Sequence, residues 1–547
     1  MATNSVSSKA STATHSISFI DIAKAVIMPL ASLKLTVFLL VLAVFITFVA
    51  TLDQTRSDVF IVKMKHFDNL FVDVPFQTFF VPRWFPDHQN IPGSFYLPSG
   101  LTVLVLMLMN LSAAHILRFR LQAKGKKLLV GLLATAFAAF LTWAIIFSGQ
   151  GIDGLQNSPP LSWQQLWTTM QIGVLLLGFG CVYACATMGK DRKIERILLG
   201  ISAATLIAVF GGTMLLGEDA FIGDSAMRIL WQLIQATVAA LVSYAACVIL
   251  FRRKAGIVLL HLGVAGLMLN EIYVTTTNEE QRMSIAEGQT MSHALDIRAT
   301  EMAIIDVSDP ELDSIVSIPG KLLEEQDLIV SEELPFDVKC LDYIPNSDIA
   351  RINNSDSISN AGIGLEWGAK SLPISTGTDT DQAVDFASAY VELIKDGKSL
   401  GIYLVTQLRD ASRDNSVTVG EKTYQIALRF KTEYKPYAIT LDDAQRENYI
   451  GTTTPRFFGS EIQLEDFESG ISSEQLIWMN NPLRYSGETF YQSQMSELPS
   501  GDQISILQIV KNKGWMIPYV CCMFSVVGLL AQFGSSLLGF LEKSRKS

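Results

Sequence analysis

Long apolar runs constrain the fold of this 547-residue chain more than any other feature. A helix needs about 20 mostly apolar residues to cross the roughly 30 Å of hydrocarbon in a bilayer. Runs of about that length lie at 30–52, 101–117, 128–147, 166–188, 197–216, 229–251, 255–275 and 515–538. Only 17% of the residues are charged, against about 25% in soluble domains. The sequence therefore predicts a polytopic α-helical membrane protein with about eight spans.

Clusters of lysine and arginine between these runs predict the orientation of the chain. Basic clusters lie at 118–127, 190–196, 252–254 and 542–547, and all four fall on one side of the predicted membrane. Cytoplasmic loops carry the excess of Lys and Arg, so both termini are predicted to be cytoplasmic. The expected location is the bacterial cytoplasmic (inner) membrane.

The spans and basic clusters divide the chain into four parts. Residues 1–28 are predicted to be a cytoplasmic N-terminal segment, with an interfacial helix over 16–27. Residues 29–275 hold seven spans. Residues 276–514 form an extracytoplasmic domain, and residues 515–547 contain the last span and a short cytoplasmic tail.

The region 276–514 is predicted to be a large, mainly β domain. Segments 400–408, 422–430, 438–441 and 489–493 are rich in β-branched and aromatic residues, with turn signals at 395–398 and 486–487. A helix is predicted at 379–395 and a polar loop at 346–360. The net charge of the chain is −11, and the acidic excess lies in this region. Such a surface argues against nucleic acid as a partner.

Three segments resemble the ResB family of cytochrome c biogenesis proteins. They are LASLKLTVFLLVLAVFITFVATLDQT at 30–55, GIVLLHLGVAGLMLNE at 256–271, and the stretch 434–495. The last stretch contains YKPYAITL, GTTTPRFFGSEIQLED and NNPLRYSGETFYQSQM, which is similar to the family's Asn-x-Pro-Leu-Arg-Tyr-x-Gly-x-x-Phe-Tyr-Gln block. The usual family member has three spans before its large domain, so 128–251 resembles an insertion of four helices.

The resemblance implies a role in the system II pathway. There a ResB-like protein and a CcsA-like membrane partner bring haem across the bilayer and present it to apocytochrome c. The partner carries a Trp-rich motif ending in Trp-Asp, whereas none of the eight tryptophans here precedes an aspartate. The chain therefore resembles the accessory half of a cytochrome c synthase, with haem b as a transient, transported substrate. No catalytic residue is predicted.

Two of the six histidines, His115 and His261, lie in predicted spans, each in the cytoplasmic third. Ionisable residues inside a membrane are costly and usually face a cavity, a partner or a ligand. A neutral imidazole can bind haem iron, so both are candidate haem-binding residues, facing one haem together or each a partner's residue. The alternative is a structural histidine bonded to a carbonyl or a neighbouring span. The family resemblance singles out His261 as the axial iron ligand.

The remaining candidates have structural interpretations. His66, His88 and His293 are predicted to be ordinary surface histidines. In the Asn-x-Pro-Leu-Arg-Tyr block, Arg484 is expected to form an ion pair and Tyr491 to pack in the core. Two other functions stay open from the sequence: a membrane transporter for another substrate, and a membrane-anchored ectodomain scaffold without haem.

Overall fold

A computed structural model describes most of the chain. It covers residues 27–57, 59–81, 84–85, 91–148, 161–189, 192–221, 223–309, 312–352, 357–374, 384–410, 412–452, 455–497 and 501–546. The predicted interfacial helix over 16–27 lies almost entirely outside these residues, as do His15 and His88.

Each apolar run of the sequence forms a long helix. The long helices are α1 (Leu33–Asp53), α3 (Gly100–Arg118), α4 (Lys126–Ser148), α5 (Trp163–Thr187), α6 (Lys193–Leu216), α7 (Asp224–Phe251), α8 (Ala255–Thr277) and α10 (Ile517–Lys546). Two short helices are α2 (Val59–Lys63) and α9 (Gly320–Glu325), and residues 27–30 are helical as well. Seven helical stretches there are long and apolar enough to cross a membrane. The chain thus has the helices of a membrane protein.

One of those seven stretches contains two of the predicted spans. Ala226–Thr277 is 52 residues long, which at 1.5 Å per residue is roughly 78 Å and far exceeds a bilayer. A 3₁₀ turn over Arg252–Lys254 interrupts it, and Arg252 has a φ of 50°, outside the helical region. The stretch is therefore two helices, α7 and α8, with the basic cluster at the break.

The region after α8 is built mainly of strands. They are β3 (Glu279–Ala286), β4 (Thr290–Asp306), β5 (Ser314–Pro319), β6 (Leu328–Ile329), β7 (Asp337–Ile344), β8 (Ser347–Arg351), β9 (Trp367–Ser371), β10 (Ser388–Lys395), β11 (Lys398–Thr406), β12 (Ser416–Val419), β13 (Lys422–Asn448), β14 (Pro455–Asp466), β15 (Ile471–Trp478), β16 (Leu483–Tyr485), β17 (Glu488–Glu497) and β18 (Gln503–Lys511). The prediction of a large β-rich region is confirmed.

Two antiparallel sheets organise this region. The larger has the order β15-β14-β13-β4-β3-β18-β17-β16, with β12 on β13 and β5 on β4. The smaller has the order β11-β10-β7-β6. The strands β8 and β9 form a separate two-stranded sheet in the same region. Between α1 and α3, β1 (Phe71–Pro75) and β2 (Ser94–Pro98) form another antiparallel pair.

Two hydrophobic cores lie along the same pair of strands. One contains Met302 and Ile304 of β4 with Ile426 of β13, packed against β7, β10 and β11. The other contains Ile439 of β13 with Phe490 of β17, packed against β14 and β18. Strands β4 and β13 are long enough, at 17 and 27 residues, to cross both cores.

The predicted turns at 395–398 and 486–487 are confirmed as two-residue hairpins. Asp396 and Gly397 join β10 to β11, with φ angles of 50° and 73°. Ser486 and Gly487 join β16 to β17, with φ angles of 49° and 76°. Positive φ at both positions is the type I′ geometry, whose twist matches that of antiparallel strands.

The helix predicted at 379–395 is wrong over its described part. Residues 388–395 form β10, which pairs with β11 on one side and β7 on the other, whereas residues 379–383 lie outside the described residues. Tyr390, Val391 and Leu393 are all buried. A strand buried on both faces has no alternation, so its apolar run resembles a buried helix.

The chain forms two compact units, each made of separate segments. The first comprises Met1–Ala139, Ala240–Leu269 and Phe524–Ser547, and the second comprises Phe140–Ala239 and Asn270–Met523. In the first, the buried amide of Asn110 accepts from Thr36 at 2.6 Å and donates to the Ser32 carbonyl at 3.1 Å. These bonds fix α1 against α3. In the second, α5 and α6 pack where Gly178 approaches Ile207.

Candidate functional site

The structure brings His115 and His261 into direct contact. His115 lies in the last turn of α3 and His261 near the start of α8, within the first compact unit. The distance between Nδ1 of His261 and Nε2 of His115 is 3.2 Å, and the rings stand nearly perpendicular, at 85°. Two residues that are 146 apart in sequence therefore form one hydrogen-bonded pair.

The hydrogen bonds of the pair determine which nitrogens carry protons. Nδ1 of His115 lies 2.9 Å from the Leu111 carbonyl oxygen, which can only accept, so this nitrogen is the donor. In a neutral imidazole the other nitrogen is then an acceptor, and it accepts from Nδ1–H of His261. Nε2 of His261 is left with an unprotonated lone pair, which is the form of histidine that binds a metal.

The separation of the two rings bears on how iron could be bound. A metal–imidazole bond is about 2 Å long, so two ligands on opposite sides of one metal ion are about 4 Å apart. Nδ1 of His261 and Nε2 of His115 are closer than this, at 3.2 Å. This geometry leaves no room for iron between these nitrogens. It makes Nε2 of His261 the available ligand and His115 its hydrogen-bonded support.

Aromatic and basic groups surround the pair. The Phe119 ring stacks on His115, with ring centroids 4.5 Å apart, and meets His261 edge-on at 6.2 Å. The ammonium of Lys254 lies 5.3 Å from the centre of the Phe119 ring and donates to the Arg118 carbonyl at 3.3 Å. The pair thus lies beside a flat apolar ring, which in turn contacts one cationic side chain.

A basic cavity of about 670 Å³ lies in the same unit, at the ends of α4 and α7. Its cationic lining residues are Lys124, Lys126, Lys127 and Arg252. Cavities that bind small molecules have similar volumes, about 300–1,000 Å³. The cavity can therefore accept an anionic ligand of moderate size.

Close helix packing positions His261. A Cβ atom added to Gly528 of α10 would come within 2.6 Å of the backbone nitrogen of Leu260, the residue before His261. Gly256, one turn earlier, meets the Gly528 carbonyl just as closely. Only glycine permits this approach, as is common where helices cross in membranes.

His66 is not the surface histidine that the sequence predicts. Its side chain is 1% exposed, and Nε2 lies 2.8 Å from Oδ2 of Asp53, which also accepts from Lys65 at 2.8 Å. A carboxylate at the end of an apolar helix needs such partners because desolvation is costly. Arg56 nearby donates to the Phe80 carbonyl at 2.6 Å. The spacing of Asp53 and His66 gives no local signal of this pairing.

His293 and the Asn-x-Pro-Leu-Arg-Tyr block also differ in detail from prediction. His293 is partly buried in a cavity of about 400 Å³ beside Tyr434, and burial lowers its pKa. Tyr491 is 40% exposed, whereas its neighbour Phe490 is fully buried in the core. Arg484 stacks on Trp515 and forms no ion pair within the described residues. The structural interpretation therefore fits Phe490 but not Tyr491.

No group of three or more His, Cys, Asp or Glu side chains in the described residues could hold a bare metal ion. Haem iron differs, because four of its ligands belong to the porphyrin and the protein supplies only axial ones. A single lone pair from His261 suits that requirement. Comparison with models of known protein families finds no match, and neither does comparison with curated proteins.

Proposed function

We propose that the chain is the ResB-like subunit of a membrane complex that delivers haem across the cytoplasmic membrane and supports its attachment to apocytochrome c. The observation that carries this proposal is the hydrogen bond between His115 and Nδ1 of His261, which leaves Nε2 of His261 to bind iron. The resemblance to the ResB family at 30–55, 256–271 and 434–495 supplies the pathway. A CcsA-like protein and apocytochrome c are the proposed partners.

The surroundings of the histidine pair support haem as the ligand. Haem is flat and apolar with two carboxylates, so it is matched by an aromatic ring and nearby cations. Phe119 provides the ring, and Lys254 beside it provides a cation. His261 contributes one axial bond to a haem that is handed on, and the CcsA-like partner contributes the other. In this role the chain is the accessory half of the synthase.

The competing functions predict a protein without haem. A transporter for another substrate or an ectodomain scaffold would use His261 only as a packing residue. Spectroscopy of the purified full-length chain in detergent, titrated with haemin, separates these possibilities. Coordination by His261 would give a Soret band at the position of histidine-ligated haem.

We expect His261→Ala to abolish that coordinated spectrum while the protein still inserts and purifies. Added imidazole should restore the band, because it replaces the missing ligand in an otherwise intact pocket. His293→Ala, which removes a histidine of the β region, is the matched control and should bind haem normally. An unchanged spectrum in His261→Ala would leave His261 a structural residue.

His115 is expected to act through His261. Replacing His115 with Leu removes the acceptor for Nδ1–H, and loss of such a partner typically weakens metal binding about 10- to 100-fold. The position and shape of the Soret band should stay the same, since the ligand is unchanged. A band that shifts to a different ligation state in His115→Leu would show that His115 itself binds iron.

A further inference from the structure

Arg484 is a partly buried cation without a carboxylate partner among the residues that the structure describes. Its guanidinium carbon lies 3.5 Å from the centre of the Trp515 ring, and Nη1 makes one long contact, 3.5 Å, to the Thr489 hydroxyl. In the described part of the chain, no Asp or Glu oxygen lies within ion-pairing distance of it. Burial, and to a smaller extent the charge of Arg228, lower the pKa of Arg484. The guanidinium nevertheless keeps its proton.

Two buried hydrogen-bond donors in the segment 481–484 have no acceptor among the described residues. Nε of Arg484 and Nδ2 of Asn481 are both buried and unpartnered, and the Asn481 residue is only 4% exposed. Between them in sequence, the Pro482 carbonyl accepts a 2.9 Å hydrogen bond from Arg228. Buried donors almost always have partners in folded proteins. The missing partner must therefore be an acceptor, and two neighbouring arginines favour a negatively charged one.

The position of the cluster indicates where the acceptor comes from. Arg228 lies near the start of α7, and Trp515 lies two residues before α10, so the cluster sits where two apolar helices begin. Trp515 also packs edge-on against Tyr519, with ring centroids 6.0 Å apart. Tryptophan, tyrosine and arginine at helix ends are typical of the headgroup layer of a bilayer. Phosphate groups of phospholipids lie at that depth.

We propose that Arg484, together with Arg228 and the Asn481 amide, binds the phosphate group of a phospholipid. Arginine recognises phosphate through paired N–H groups, which suits the free Nε edge of Arg484. The site gives the Asn481–Tyr485 segment a role in addition to packing. It lies in the second compact unit and does not involve the histidine pair, so it stands independently of the proposed function.

The test uses the delipidated full-length protein in detergent and measures its melting temperature. Dihexanoyl phosphatidylglycerol should raise the melting temperature of the unmodified protein in a saturable manner. Arg484→Gln should reduce the apparent affinity for this lipid by about tenfold or more, because a charged hydrogen bond is lost. Arg298→Gln, which removes an exposed arginine paired with Glu280, is the control and should respond normally.

Two parallel titrations identify the ligand. Inorganic phosphate and haemin, a dicarboxylate, are added to the same protein in place of the lipid. Stabilisation by inorganic phosphate alone, or by haemin alone, through Arg484 would overturn the phospholipid assignment. Absence of any lipid effect on the unmodified protein would overturn it as well, and this measurement does not depend on whether Arg484→Gln folds.

Discussion

Lys435 is a buried cation in the β region, where it contacts two carboxylates. The Lys435 side chain is only 3% exposed, and its ammonium lies 2.9 Å from Glu433 and 2.7 Å from Glu488. The Tyr437 hydroxyl donates to the same Glu488, and burial raises the pKa of Tyr437. Lys435 thus forms ion pairs with two carboxylates beside the second core. Without it, Glu488 would be a buried carboxylate with no cation at ion-pairing distance among the described residues.

We expect Lys435→Met to lower the free energy of unfolding of the β region by about 3–5 kcal/mol, because it leaves a buried carboxylate unpaired. The control is Lys422→Met. Its ammonium also lies 2.7 Å from a carboxylate, that of Asp306, but the side chain is 60% exposed. An exposed pair contributes about 0–1 kcal/mol, so this variant should be nearly unchanged. Thermal unfolding measures the stability of both variants. Equal losses of stability would show that burial of the ion pair does not determine its contribution.

For single residues, the sequence indicates which side chains are candidates for a site better than it indicates what surrounds them. Equal depth predicts that His115 and His261 face one haem together or each a partner's residue, whereas their direct hydrogen bond depends on how α3 and α8 are rotated. The sequence predicts that Tyr491 packs in the core, whereas Phe490 is the residue that does so, and this difference has a similar origin. Adjacent residues of a strand face opposite sides, and only the register of β17 decides which one is buried.

Among the secondary-structure elements, α8 and α10 pack closely against each other at Gly256 and Gly528. The backbone atoms of α8 and α10 approach so closely there that a Cβ on either glycine would meet main-chain atoms. Main-chain atoms cannot rotate away as a flexible side chain can. Any larger residue must therefore push the helices apart, which also displaces the turn that carries His261.

We expect Gly528→Ala to destabilise the protein by about 1–3 kcal/mol, the usual cost of overpacking. Gly534→Ala is a matched control six residues further along α10, where a Cβ would meet nothing within 4 Å. The melting temperature of that variant should equal or slightly exceed that of the unmodified protein, since alanine favours helix. Melting curves in detergent measure both. Similar curves for the two variants would argue against the tight crossing.

Apolar runs of some 20 residues predict helices well because length alone separates them from strands. Shorter buried elements lack this advantage. The helix predicted at 379–395 includes residues 388–395, yet the place of these residues between β11 and β7 makes them a strand. Cross-strand packing with distant residues overrides the local preference, and a single sequence contains no record of those partners.

For the whole molecule, the distribution of charge predicts the topology. The four basic clusters at 118–127, 190–196, 252–254 and 542–547 should all lie in the cytoplasm, with the β region on the other side. We expect alkaline phosphatase fused after residue 300 to be active and a fusion after residue 190 to be inactive. Green fluorescent protein at the same sites should give the reverse pattern, because it fluoresces when it folds in the cytoplasm. Activity of the enzyme at residue 190 would invert the orientation.

The division into compact units could not be predicted from composition. Composition marks the change from apolar to polar sequence near residues 276 and 514. The boundaries between the units fall instead at 139–140, 239–240, 269–270 and 523–524, inside α4, α7, α8 and α10. A helix shows no change of sequence where its neighbours change, so such a boundary depends on tertiary contacts alone.

Strands β4 and β13 pass through the two largest cores of the β region, and this limits how the region can change in evolution. A cut anywhere between the cores would sever both strands and expose apolar residues on each side. Neither half could be inherited, duplicated or exchanged on its own. The region should therefore pass between related proteins as one indivisible piece, with variation confined to insertions in the turns that join its strands.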